Sequence, residues 1–408
     1  MMTAGATMAV ARGIRGWTWQ NQQVLAQSAT SEGGALPTET PRLIVIFLRG
    51  AADGLNIVVP YQEPNYYASR PSIAIAPPGE ENGALDLDGR FGLHPALKSL
   101  MPEWEKGNLA FVHAAGSPVV ERSHFQAQDY IETATPGDTD TPDGWLNRLL
   151  GVLPNGSSTQ AVNIGNTSPL ILAGREPVAS LAVSGSVSRP LPIDRPQVKT
   201  AFDRLYGGDS DIARTYREGR AARDVLVREF SAENEAASRG APAPGQFLTS
   251  AEYVARLMVG DAATQVAFME LGNWDTHVNE RPILQRHLGL LGDGLAALAS
   301  GLGPVYEHTA VVVVSEFGRT LAENGTGGTD HGLGNVMWLM GGSIKGKKVY
   351  GEWPGLESAE LHEGRELAVT TDFRDVLGSL AAQQFGLSRE QIAQVFPGYR
   401  MQNRLDLI

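Results

Sequence analysis

Asp275 and His277 stand two residues apart, so in an extended segment both side chains leave from the same face. A carboxylate oxygen with an imidazole nitrogen suits zinc, manganese or iron, whereas calcium and magnesium prefer oxygen alone. The competing explanation is a loop hydrogen bond, an Asx-turn with a surface imidazole beside it. Glu316, and Asp330 with His331 in the glycine-rich stretch 325–332, could complete a metal site. Asp53 is a further candidate ligand, although an Asp-Gly turn after a strand would also explain it. The expected cofactor is a divalent metal, zinc or manganese before calcium or magnesium.

Ser123 opens the pattern Ser-His-Phe-Gln, an S-x-x-Q capping box that predicts a helix N-terminus. Backbone N–H groups and the helix dipole favour an anion there. Ser123 is therefore also a candidate nucleophile toward a phosphate or sulfate ester, given a metal or base to lower its pKa. His124 could orient it, ligate or pack. Arg49, Arg122 and Arg319 flank these motifs, and a guanidinium can grip an anionic substrate through a bidentate fork. Each could equally pair with a structural carboxylate. Trp274 could line a pocket, although tryptophan is more often core. The working assignment is Ser123, His124 and Arg319 as catalytic, and Arg49, Arg122 and Trp274 as substrate-binding. His94 is expected to cap or pack, and His113 to lie in the core.

These groups need elements to carry them. Leu43–Leu48 is a continuous apolar run rich in β-branched residues, as expected of a strand buried on both faces. Similar runs occur at 109–113, 170–172, 181–183, 266–271, 310–314 and 336–340. Helical patterns lie between them at 95–106, 123–133, 145–153, 196–206, 212–237, 248–259, 283–302 and 373–385. Strands alternating with helices predict an α/β fold with a mostly parallel sheet. Ligands of such sheets bind beyond the carboxyl ends of the strands. Those ends are where Arg49, Asp53, Asp275, His277 and Glu316 fall.

Composition excludes several chemistries. The chain of 408 residues has no cysteine, which removes disulfides, thiolate nucleophiles, iron–sulfur clusters and Cys-ligated zinc. Its net charge of −12 without a basic block argues against nucleic acid as a partner. No run approaches the roughly 18 apolar residues expected of a spanning helix. Residues 1–40 read as the later part of an export signal followed by a polar linker, or as a simple N-terminal arm. Residues 41–408 read as one α/β domain with a helical excursion near 196–260.

Together these segments resemble the bacterial family called domain of unknown function 1501, distantly allied to the alkaline phosphatase-like superfamily. The resemblance rests on Phe47–Asn56, Phe91–Pro95, Arg122–Phe125, Gly144–Arg148, Trp274–His277, Ser315–Thr320, Gly328–Gly332 and Thr371–Arg374. It implies a central, mostly parallel sheet flanked by helices on both faces, and twin-arginine export to the periplasm or beyond; a cytoplasmic location is the alternative. It also implies one metal site from Asp275, His277 and His331. A second, from Asp53, Ser123 and Glu316, lacks its usual nitrogen ligand, because Arg49 and Phe317 stand where the wider superfamily has an Asp and a His. The implied activity is metal-dependent hydrolysis of a small anionic ester. The alternative is a degenerate scaffold that binds a protein partner.

Overall fold

The structure, a computed structural model, describes residues 39–154, 159–165, 168–181 and 234–408. The export-signal reading over 1–38, the helical patterns at 196–206 and 212–233, and the strand residues 182–183 lie outside the described residues.

In chain order the strands are β1 (Arg42–Leu48), β2 (Val58–Val59), β3 (Leu85–Asp86), β4 (Gly92–Leu93), β5 (Leu109–Gly116), β6 (Ala161–Ile164) and β7 (Ala179–Leu181). There follow β8 (Val266–Leu271), β9 (Thr309–Ser315), β10 (Arg319–Glu323), β11 (Thr329–His331), β12 (Asn335–Met340), β13 (Lys348–Tyr350) and β14 (Thr371–Asp372). Among the described residues the main sheet runs β13-β5-β12-β9-β1-β8-β6-β7, with β14 also on β5. Every pairing in it is parallel except those of β12, which runs against β5 and β9. The expected α/β class, a mostly parallel sheet between helical layers, is what the chain forms.

Its position at the sheet centre explains the unbroken apolar run of β1. Ile44, Ile46 and Leu48 face a core built with helices Phe247–Gly260 and Glu280–Leu302. The alternate residues Leu43, Val45 and Phe47 face a second core with helices Trp145–Val152 and Phe373–Phe385. The pleat thus divides one strand between two hydrophobic layers. Helix Glu280–Leu302 lies in a segment long and apolar enough to cross a membrane by composition, but half of the qualifying window is buried inside the protein. Its Leu284, Leu288, Leu291, Leu295 and Leu298 form one stripe at helical spacing against the sheet.

Two short runs differ from expectation. Leu170–Leu172 is a single 3-10 turn, and the strand that precedes it is β6, Ala161–Ile164. Three apolar residues are too few for periodicity to separate a strand from a turn. The pattern over 95–106 splits into a 3-10 turn, Pro95–Leu100, and a short helix, Met101–Lys106, with Pro102 inside the first turn of the latter. His94 caps the first of these, its Nδ1 accepting from the Ala96 amide, and His113 is core.

The sheet brings chemistry to one edge. Leu48 is in register with Leu271 of β8 and Ser315 of β9, so three parallel strands end level. Residues 49–53, 272–277 and 316–318 therefore leave from the same side. Strand β5 runs parallel with them and leads to helix His124–Thr133. Because β12 is antiparallel, the β10–β11 hairpin that precedes it sits at that edge too, with Arg319 paired to His331.

Candidate metal centre

Close packing between loops sets the site. Gly50 (φ +112) ends β1, and a Cβ there would lie 2.6 Å from the Asp275 amide nitrogen. Gly328 passes the backbone of His277 so closely that a Cβ would lie 2.3 Å from its carbonyl. These glycines let the loops after β1 and β8, and the β10–β11 hairpin, share one small volume.

Three imidazoles and one carboxylate meet there. Nε2 of His331 lies 2.9 Å from Nε2 of His124 and 3.0 Å from Nε2 of His277. Oδ1 of Asp275 is 3.0 Å from His277 Nε2 and 3.6 Å from Nε2 of both His124 and His331. The other ring nitrogen of each histidine faces an oxygen. His331 Nδ1 donates to the Arg122 carbonyl at 2.9 Å, and His124 Nδ1 to Glu316 Oε1 at 2.8 Å. His277 Nδ1 faces Asp330 Oδ1 at 3.4 Å.

The outer oxygens fix two of the tautomers. A carbonyl or carboxylate oxygen only accepts, so the ordinary protons of His124 and His331 sit on Nδ1, whereas His277 has a carboxylate oxygen at either nitrogen, Asp275 Oδ1 at 3.0 Å from Nε2 and Asp330 Oδ1 at 3.4 Å from Nδ1. Imidazoles held this way turn the Nε2 lone pairs of His124 and His331 toward each other at 2.9 Å, beside Nε2 of His277. Such a cluster is repulsive unless a cation, either a proton or a metal ion, lies among the nitrogens. Asp275 Oδ2 adds a buried oxygen without a hydrogen-bond partner. Imidazole ligands oriented through Nδ1 by outer oxygens, beside a carboxylate, form a donor set that fits zinc or another divalent transition metal.

The electrostatics agree. Burial works against a charge on Asp275, yet the neighbouring imidazoles of His124, His277 and His331 and the charge of Arg319 hold its carboxyl far below the usual range. Burial likewise opposes charge on His124, but Asp275 and Glu316 raise it to about 9. Burial raises and His124 with Gln128 lower Glu316, which comes to rest at about 2. In the metal-free chain a proton on His124 therefore takes the cation's place. That contribution to stability is fully present below pH ~6.5 and is lost as pH rises through about 9. Metal must displace the same proton, so apparent zinc affinity is expected to climb about tenfold per pH unit between 7 and 9 and then level off. Zinc titration calorimetry in two buffers of different ionisation enthalpy would count the proton released.

The family model described as "Protein of unknown function (DUF1501)" matches residues 40–396, most of the chain. The chain belongs to the DUF1501 family. No curated protein matches it. Among solved structures it is similar to a 2-O GAG sulfatase, at 11% identity and a TM-score of 0.41, over 90% of this chain and 76% of that one. It is also similar to a protein in the alkaline phosphatase superfamily from Vibrio parahaemolyticus (9%, TM-score 0.38, 90% and 75%). The lipoteichoic acid synthase LtaP from Listeria monocytogenes gives 9%, a TM-score of 0.36, and 86% and 80% coverage. Likeness at this level assigns no role to any residue.

In the DUF1501 chain the expected site residues separate into three groups. Asp275, His277 and His331 are brought together, and His124 joins them with its ring nitrogen in the cluster. Glu316 and Asp330, expected as ligands, instead hold the outer nitrogens of His124 and His277. Glu316 is fully enclosed: Oε1 accepts from the Gly50 amide, Gln128 and His124, and Oε2 accepts from Ser315 Oγ. Replacing Glu316 with Gln is expected to cost 10–100-fold in zinc affinity, as typical for an outer-shell partner, measured by competition with a chromogenic chelator.

The third group is engaged elsewhere. Asp53, expected as a ligand, has both oxygens on Arg70, which is itself fully buried and also donates to the carbonyls of Thr320 and Leu321. Arg49, expected to bind substrate, is a buried hub donating to Glu270, Glu132 and Gln128. Trp274 is fully buried in the core rather than lining a pocket. Arg319, expected as catalytic, donates to Asp275 Oδ1 at 2.6 Å and to the carbonyls of Gly50, Ala51 and Thr329, so it holds Asp275 beside the three imidazoles. Arg122 is one-third exposed and paired with Glu363 and Glu366. Ser123 is half-buried at the N-cap of helix His124–Thr133, but its side chain makes no cap bond; Glu121 Oε1 takes its amide instead.

Proposed function

We propose that this chain is a metal-dependent hydrolase of phosphate or sulfate esters that uses a single metal ion held by His124, His277, His331 and Asp275. The meeting of three imidazole Nε2 atoms beside one buried carboxylate carries this reading. A divalent ion bound by these residues would polarise an ester oxygen and lower the pKa of a neighbouring hydroxyl. Ser123 provides that hydroxyl, one residue before His124. It opens a ten-residue helix whose first N–H groups and dipole favour the anionic part of an ester. In this scheme Ser123 Oγ would bond to phosphorus or sulfur as the bond to the alcohol oxygen breaks, the serine proton passing to the departing alcohol, and water would then cleave the seryl ester to restore the hydroxyl and release phosphate or sulfate. Arg319 and Glu316 hold Asp275 and His124 in place. Of the three arginines considered for the anion, Arg122 is the one that reaches solvent.

Metal-loaded protein is expected to turn over p-nitrophenyl phosphate or p-nitrophenyl sulfate. Ser123→Ala should lower that rate by more than about a hundredfold, the scale of a missing nucleophile, while zinc content stays the same. Metal-replete wild type inert on both esters would contradict the reading.

One observation favours a second reading, a binding scaffold. Asp53 and Glu316 are both committed to internal partners, so the residues anticipated for a second metal do not assemble. A partner that copurifies and survives Asp275→Ala/His277→Ala would support it.

A further inference from the structure

We propose a second cation site, formed by His362, Glu363 and Glu366 on the turn that follows the metal centre in sequence, whose ligand is a divalent transition ion such as zinc. Ligand atoms of the three residues lie within 4.8 Å of one another. The turn is closed by the His362 amide donating to the Glu366 carbonyl at 2.9 Å, and Glu363 and Gly364 both take positive φ. Arg122 Nη2 occupies one oxygen of each carboxylate, Oε2 of Glu363 and Oε1 of Glu366. The other two oxygens and the His362 ring remain for a ligand.

Two of those atoms need one. Glu366 is fully buried, yet its Oε2 has no hydrogen-bond partner, and neither does the buried Nε2 of His362. Arg365 compensates the charge only in part: its Nη2 forms an ion pair with Glu366 Oε2 at 3.7 Å, beyond hydrogen-bond range, and donates instead to the His331 carbonyl at 2.8 Å. His362 Nε2 lies 3.9 Å from Glu363 Oε1, too far for a hydrogen bond but close enough for both to reach one ion. Leaving a buried carboxylate oxygen and a buried imidazole nitrogen unmade is costly, and a cation between them satisfies both. One imidazole and two carboxylates fit zinc or manganese, with water in the remaining positions. Glu363 is exposed, and Arg122 offsets part of the negative charge, so this site fills after the central one.

The site is independent of the hydrolase reading, and zinc titration of the full chain separates the two. Wild type is expected to take two zinc ions. His362→Ala and Asp275→Ala/His277→Ala should each take one, and Glu363→Gln should weaken the later-filling ion by tenfold or more without altering the first. One zinc in wild type and one in His362→Ala would overturn the second site. One in wild type and none in His362→Ala would uphold it and remove the central one instead.

Discussion

Replacing His331 with alanine is expected to abolish metal binding and, with it, turnover. His331 is the middle imidazole, touching Nε2 of both His124 and His277. Its removal takes away a ligand and also separates the other two. The loss should exceed the 10–100-fold expected when only an outer-shell partner is removed. Folding should survive, because the carboxylate beside it, Asp275, keeps Arg319 at 2.6 Å and His277 at 3.0 Å, and the Nδ1 contact is only the Arg122 carbonyl. Chelator competition for affinity and urea unfolding for stability would show the two effects apart.

The opposite pattern is expected at Arg49. Its guanidinium is buried between Glu132 and Glu270, at 2.9 and 2.7 Å. Substituting methionine would keep much of the volume but take the guanidinium from two buried carboxylates, of which Glu132 keeps Arg239 at 3.5 Å and the Ile171 amide at 2.9 Å. Breaking a buried ion pair by removing one partner costs about 3–5 kcal/mol, and this guanidinium serves two carboxylates. Arg49→Met should therefore lower the urea midpoint severely. An additional substitution, Glu270→Gln, should return part of the loss, since it removes one of the two buried charges that Arg49 balanced. A substrate-binding arginine would behave differently, raising KM while leaving the unfolding midpoint in place.

Much of the scaffold was legible in the sequence because its signals are local. The run Leu43–Leu48 could only be buried on both faces, and its neighbours 266–271 and 310–314 repeat the pattern; these became β1, β8 and β9, side by side. Their shared carboxyl edge follows from parallel pairing, which is why 272–277 and 316 pointed to one place.

What the sequence could not separate was ligand from supporter. Asp53, Asp275, Glu316 and Asp330 all follow or flank strand ends. Their roles depend on partners far along the chain: Arg70 for Asp53, and His124, 192 positions away, for Glu316. A buried carboxylate reads the same whether its partner is an arginine, an imidazole or a metal. The place of His124 had a signal in its adjacency to Ser123, but proposing it as a ligand required the tautomer set by Glu316. The S-x-x-Q pattern at Ser123 shows the reverse problem, where a local signal for a capping box was overridden by Glu121 taking the amide.

The central claim is that His124, His277, His331 and Asp275 hold a metal ion. Elemental mass spectrometry on natively purified protein tests it most directly, comparing His362→Ala with the same chain also carrying Asp275→Ala and His331→Ala. The account predicts one equivalent of zinc or another divalent transition metal in the first and none in the second. Equal metal content in both, or none in either after dialysis against zinc and manganese, would contradict it.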